Sequence, residues 1–286
     1  MNEVRSQIKF SWRLFIHRTV SMRMFSLLLL LGFVYHIFLA PLNSFAKSVQ
    51  YPVCPYIFPF LLSDIYFLVL FMAAVVYYYS DAPFMKSWTM YQVVRTGRVR
   101  WAFGQIGAIV LSSFIFVLIA IGMTGVLLLP NVTLNEGWGK VLYTLSMTGA
   151  PGGLDIPFSI PYEMISHYSV GEAVGVTILI SGMVITFMGL LMFCMSLIAS
   201  RLWANVLAML FVMLPMVQKN IGMAVPQLVY FSPVSWMQLS ELKIGETGIS
   251  PSMNYCLTAL GIMCILFSLV IVWKIRTVDF QMVKED

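Results

Sequence analysis

Few side chains in this sequence are placed to do chemistry. Asp64 is the only acidic residue well inside an apolar run. An acid at membrane depth marks an ion or substrate pathway by default. The favoured reading here is plainer: an acid near the outer interface, bonded to Ser63, a tyrosine or water. His17, His36 and His167 fall at different depths and cannot be grouped. The chain holds no His-Glu-x-x-His zinc pattern and no Gly-x-Ser-x-Gly elbow. Gly139-Lys140-Val141 lacks both the Ser or Thr and the glycine spacing of a phosphate loop. No catalytic residue and no metal site are therefore expected, and ATP hydrolysis is not expected on this chain. Cys194 and Cys264 lie in apolar runs and read as packing residues. A disulfide between Cys54 and Cys256 is geometrically possible, but spacing alone does not show that their backbones meet. Asn131-Val132-Thr133 fits the glycosylation pattern.

The elements that position these residues are apolar. Of 286 residues, 60% are hydrophobic and 10% charged, with a mean hydropathy of +0.88. Ordinary soluble domains carry roughly 25% charged residues. That excludes a soluble enzyme, a disordered tail and a free nucleic-acid-binding domain. Six long apolar runs stand out, at 25–40, 57–79, 103–129, 173–198, 202–217 and 257–273. They do not alternate as barrel strands would, and backbone in lipid must bond internally, so each is expected to be a helix. The expected fold is all-α and integral to the membrane: one transmembrane domain over residues 1–286 with six spans.

Basic residues set the expected orientation. With the N-terminus inside, thirteen Lys and Arg fall on the inner side and four (Lys47, Lys140, Lys219 and Lys243) outside. An even number of spans returns the C-terminus to the cytoplasm. The N-terminal basic region, more than 20 residues long, is unusual for a secretory signal, so the first run is read as a retained helix.

Three segments outside the spans carry more information. In 2–20, Val4, Ile8, Trp12 and Phe15 recur at helical spacing beside a stripe of Arg5, Lys9 and Arg13. This is a basic amphipathic helix of the kind that lies among headgroups; it reads either as a topology anchor or as a mechanical link to a partner. In 81–96, Asp81 can cap a helix, Pro83 suits its first turn and Gly97 its end. Phe84, Trp88, Tyr91 and Arg95 then share one stripe. Two readings compete for it: an interfacial helix with snorkelling anchors, or a helix docking into a groove of a soluble protein. In 218–252, an apolar stretch broken by Gly222, Pro226 and Pro233 is too short to span, and a re-entrant outer segment fits better. Residues 130–171 form the longest outer loop.

This layout resembles the membrane subunit of an ABC-2 type (type V) ABC exporter. The stretch 91–105, TyrGlnValValArgThrGlyArgValArgTrpAlaPheGlyGln, is similar to the segment leading from the coupling helix into span three of small bacterial permeases of this kind. Ser200-Arg201-Leu202 resembles their second, short cytoplasmic contact. The resemblance implies a permease subunit in a bacterial plasma membrane, paired with a second copy or a paralogue. ATP and magnesium would be bound by a separate ATPase, docked on Phe84, Trp88, Tyr91, Arg95, Arg98 and Arg201. An amphipathic or hydrophobic cargo (a lipid-linked glycan, a peptide or a drug) would leave between spans one, two and five. The competing readings are an ion-coupled carrier that works through Asp64, and an ATP-independent immunity or scaffold protein.

Overall fold

The computed structural model describes residues 2–84, 87–133, 137–148, 156–221, 225–242 and 250–277. It is helical throughout, and among the described residues there is no strand, only an isolated bridge between Val53 and Val132. Five helices are long and apolar enough to cross a membrane: α2 (Met22–Val49), α6 (Arg98–Leu127), α9 (Val170–Ile198), α10 (Arg201–Ile221) and α11 (Met253–Lys274). Between them lie α1 (Asn2–Thr19), α3 (Phe58–Ser63), α4 (Ile65–Tyr79), α5 (Ser87–Thr96), α7 (Gly139–Thr148) and α8 (Tyr162–His167). The chain is a membrane protein of helices.

Serines set several of the starts. Ser21 accepts from the Met24 amide to open α2, and Ser252 from the Tyr255 amide to open α11. Ser169 and Glu172 form a reciprocal capping box ahead of α9. These caps carry the helices a few residues beyond the apolar runs. α2 reaches furthest, continuing through Pro41 to a left-handed Gln50 at φ 55°.

The second apolar run is not one helix. It breaks at Asp64, whose extended backbone (φ −82°, ψ 125°) ends α3 while its carboxylate accepts from the Phe67 amide at 2.8 Å to start α4. Ser63 Oγ turns back to the Pro59 carbonyl at 3.2 Å. A side chain that satisfies an orphan amide from non-helical backbone competes with a continuous helix. At 15 residues, α4 is short of the roughly 20 that a span needs. The broken pair is tolerated because it is enclosed by protein: Phe58, Phe60, Phe67, Phe71 and Tyr79 are fully buried. Asp64→Ala is expected to cost about 1 kcal/mol of stability, and Asp64→Asn only a few tenths, because asparagine caps as well. Thermal unfolding in detergent reads the difference; equal losses would mean that the charge matters rather than the cap.

α9 is the central helix, packed against α6, α10 and α11. Small residues let α6 approach it. A Cβ on Gly182 would lie 2.5 Å from the Phe114 ring, and one on Gly189 would lie 2.7 Å from Ile109 Cγ2 and 3.1 Å from the Tyr79 ring. Close packing of this kind, rather than hydrophobicity, drives helix association in lipid. Tyr79 Oη adds a buried polar node with Ser112 Oγ at 2.8 Å and Ser113 Oγ at 2.9 Å. α4 packs against both α2 and α10. Phe71 joins the layers through ring contacts with Phe58 of α3 and Phe116 of α6, at 5.6 and 5.5 Å.

Hydrogen bonds and an ion pair define two ends of the bundle. Gln7 Nε2 donates to Arg100 O, Arg98 Nη1 donates to Arg276 O, and Arg23 pairs with Asp81 at 2.9 Å, which gathers α1, the starts of α2 and α6, the 80–84 turn and the residues just after α11 on a proximal face; α5 leads directly into α6 there. Asn131 donates to Asn43, Trp138 Nε1 to Tyr168 O and Gln238 Nε2 to Ser63 O on the distal face. There α7, α8 and three short 3-10 turns (Pro226–Phe231, Ser235–Met237 and Leu239–Glu241) cover the bundle.

Candidate functional site

The proximal face collects most of the side chains singled out by sequence. α1 packs along the first half of α6: Phe10 fills the space over Gly104, Ser11 that over Gly107, and Leu14 and Phe15 meet Ala108. Its stripe of Ile8, Trp12 and Ile16 instead points away from the chain, with Trp12 49% exposed. Only Phe15 of the expected apolar stripe is buried within the described side chains. Both faces of α1 are apolar, so periodicity alone could not say which one faces protein.

α5 starts at Ser87, later than the expected Asp81. Residues 80–83 form a turn, and Phe84 follows in the left-handed region at φ 62°. Phe84 therefore leaves the expected stripe: it packs on Phe193 at 5.6 Å, beneath the Arg18 guanidinium, which lies 3.7 Å from the ring centroid. Asp81 pairs with Arg23 instead of capping α5. Tyr91, Val94 and Arg95 are exposed, whereas Val93 is buried against the core. Gly97 joins α5 to α6 at φ 86°, a conformation that favours glycine. The side chains of Arg5 and Trp88 lie outside the described residues.

Two shallow grooves flank this helix, each about 750 Å³. One runs between α1 and α5 and brings Lys9, Arg13, Arg95 and Arg100 together, with no acid among the described residues that line it. The other holds Arg98, Arg100 and Arg276. Basic residues read separately from the 2–20 and 81–96 segments thus form one surface. Arg201, half-buried, opens α10 after the two-residue turn from α9.

Asp64 belongs to a different place. It lines a distal cavity of about 940 Å³ together with Lys219 of α10, Glu241, and the polar Ser63, Gln218 and Gln238. Ser235 Oγ donates to Gln218 Oε1 at 2.7 Å, which ties the 3-10 turns to the end of α10. Sequence reasoning missed this chamber. Gln218-Lys219 at the end of the fifth run and Ser63-Asp64 in the second were its only local signals.

No protein-family model matches this chain, and neither a curated protein nor a solved structure matches it. The reading of its function therefore rests on its own geometry. Among the described residues, no three His, Cys, Asp or Glu side chains gather as a metal site would require. Cys54 and Cys256 are free and buried; burial also pushes the Cys54 thiol up from its ordinary pKa. Fixed dipoles, one capped helix break and a basic surface can orient and bind.

Proposed function

We propose that this chain is the membrane subunit of an ATP-driven exporter of the ABC-2 kind, and that its proximal face docks a separate ATPase. The observation that carries the reading is α5: a short helix that exposes Tyr91, Val94 and Arg95 while Val93 anchors it to the core. Tyrosine and arginine dominate protein contacts of this type. The flanking grooves are basic and favour an acidic partner surface.

In this reading the broken α3–α4 pair acts as the second of six crossings. Laid end to end, the helical residues of α3 and α4 rise roughly 32 Å, close to the hydrocarbon thickness. Six crossings put both termini in the cytoplasm of a bacterial cell, and the Arg98–Arg276 contact supports a shared face. Spans one, two and five are neighbours, since α2 and α10 both pack on α4. Their outer surfaces are apolar, with Phe25, Leu29 and Phe33 on α2 and Leu202, Trp203 and Leu210 on α10 exposed. A second copy or a paralogous permease would face them, and an amphipathic cargo would leave through the chamber around Lys219 and Glu241. The 3-10 turns would be the re-entrant outer segment. ATP and magnesium would sit on the partner subunit.

Movement of the ATPase would tilt α5, which Gly97 couples to α6. α1, packed along α6, would carry the movement to α2. The carrier alternative has less support, because the Asp64 carboxylate already serves as a helix cap. The chain tagged and purified in mild detergent is expected to retain a soluble protein bearing a Walker A motif in near-equal amount. Recovery of the chain alone, under conditions that hold known pumps together, would count against the proposal.

A further inference from the structure

A second cavity, about 270 Å³, lies on the proximal face where the end of α1, the start of α2 and the 80–84 turn meet. Arg18 enters it. Part of the residue remains accessible, but its guanidinium is enclosed by protein, and burial pulls its pKa below the usual range against the opposing pull of Tyr78, Tyr79 and Asp81. Arginine nevertheless stays charged in proteins. One arm is used: Nη2 donates to Gln105 Oε1 at 2.6 Å. The face of the group lies over Phe84. Nη1 is sealed from solvent and has no hydrogen-bond partner among the described residues. A buried charged donor left without an acceptor is costly, and folded proteins rarely tolerate one.

The other groups around the cavity match that charge only in part. Asp81 lines it too, but its carboxylate is engaged by Arg23 at 2.9 Å, and Arg23 also donates to Ser80 Oγ at 2.9 Å. His17, also in the lining, adds no negative charge. Ser21 and Met22, in the first turn of the 28-residue α2, form another wall. The N-terminus of a long helix favours an anion. Arginine, with its planar fork of donors, suits phosphate oxygens.

We propose that this cavity binds a phosphate-ester oxyanion, the headgroup of an anionic phospholipid, through Arg18 and the first turn of α2. The lipid is favoured over free phosphate by what surrounds the opening. Met22, in the lining, is 86% exposed, and its apolar neighbours Val20 and Phe25 are 80% and 61% exposed. They form a greasy rim along which acyl chains can run while the phosphate enters the cavity, where a turn of the Arg18 side chain brings the enclosed Nη1 to it. The site joins α1 to α2, so an occupied cavity would fasten the amphipathic helix to the first span. This inference does not depend on the ATPase reading, because it concerns the chain by itself.

The test uses the purified chain in detergent, followed by thermal unfolding. Short-chain phosphatidylglycerol is expected to raise the wild-type Tm by several degrees. The shift should vanish in Arg18→Gln and survive in part in Arg18→Lys. An equal shift with phosphatidylcholine, or an undiminished shift in Arg18→Gln, would overturn the proposal. An equal shift with inorganic phosphate would overturn the lipid as occupant and assign the site to the free anion. Should Arg18→Gln fail to fold, photoactivatable phosphatidylglycerol on the wild-type chain decides. Labelling within residues 14–23 and 78–84 supports the site, and labelling confined to other surfaces overturns it.

Discussion

Tyr91→Ala combined with Arg95→Glu is expected to lower retention of the proposed ATPase subunit by at least about thirtyfold, while insertion and stability of the chain stay unchanged. Truncating a central aromatic or arginine anchor costs about 2 kcal/mol or more, and 1.4 kcal/mol is about tenfold in affinity. The charge reversal adds repulsion if the partner is acidic. Stability should hold because neither side chain is part of the core: Tyr91 is 82% exposed, and α5 is anchored by Val93 on its other side. The measurement is quantitative pull-down of the ATPase from solubilised membranes, with the chain's own unfolding temperature as control. Full retention in the double variant would remove α5 from the docking surface and leave it as a headgroup anchor.

Gly189→Leu should be the most damaging single change in the helix bundle. The first added carbon would lie 2.7 Å from Ile109 Cγ2 and 3.1 Å from the Tyr79 ring. Both neighbours are fully buried, and Tyr79 is further held by Ser112 and Ser113. Overpacking costs roughly 1–3 kcal/mol, and displacing a buried hydroxyl from its partners adds about 1–3 kcal/mol more. A loss of about 4 kcal/mol is expected, enough to abolish a sharp monodisperse peak in detergent chromatography. Gly261→Leu on α11 provides the contrast. Nothing lies within 4 Å of its Cβ position, so it should unfold within a degree or two of the wild type. Equal behaviour of the two variants would show that the α6–α9 contact is not where the bundle is held.

The helices themselves were largely legible. Long apolar runs locate α2, α6, α9 and α11 to within a few residues at most ends; the serine caps that open α2, α9 and α11 are local chemistry that a hydropathy reading passes over. Local chemistry also breaks the second run. Ser63-Asp64 after Pro59 has the composition of a helix end followed by a cap, but twenty apolar neighbours outweigh that signal in any average over a window. Facing was not legible. In water an apolar stripe points inward; in a membrane both lipid and core accept it. Hence Ile8 and Trp12 are exposed while Phe10 and Leu14, each two residues further on, pack on α6. Phe84 was grouped with Tyr91 and Arg95 by spacing, yet its left-handed backbone sends it to Phe193 and Arg18. Contacts between distant residues were beyond reach altogether. The Arg18–Gln105 bond joins positions 87 residues apart, and the basic groove needs α1 laid along α6 before Lys9 and Arg95 become neighbours.

The central claim is that α5 touches a soluble ATPase rather than lipid headgroups. A photoreactive amino acid placed at Tyr91 in intact cells tests it directly, with Tyr162 on the distal face as the control position. The account predicts a crosslink from position 91 to a Walker A protein of the cytoplasm and none from position 162. Adducts from position 91 to phospholipid alone, in cells that express the partner, would contradict it.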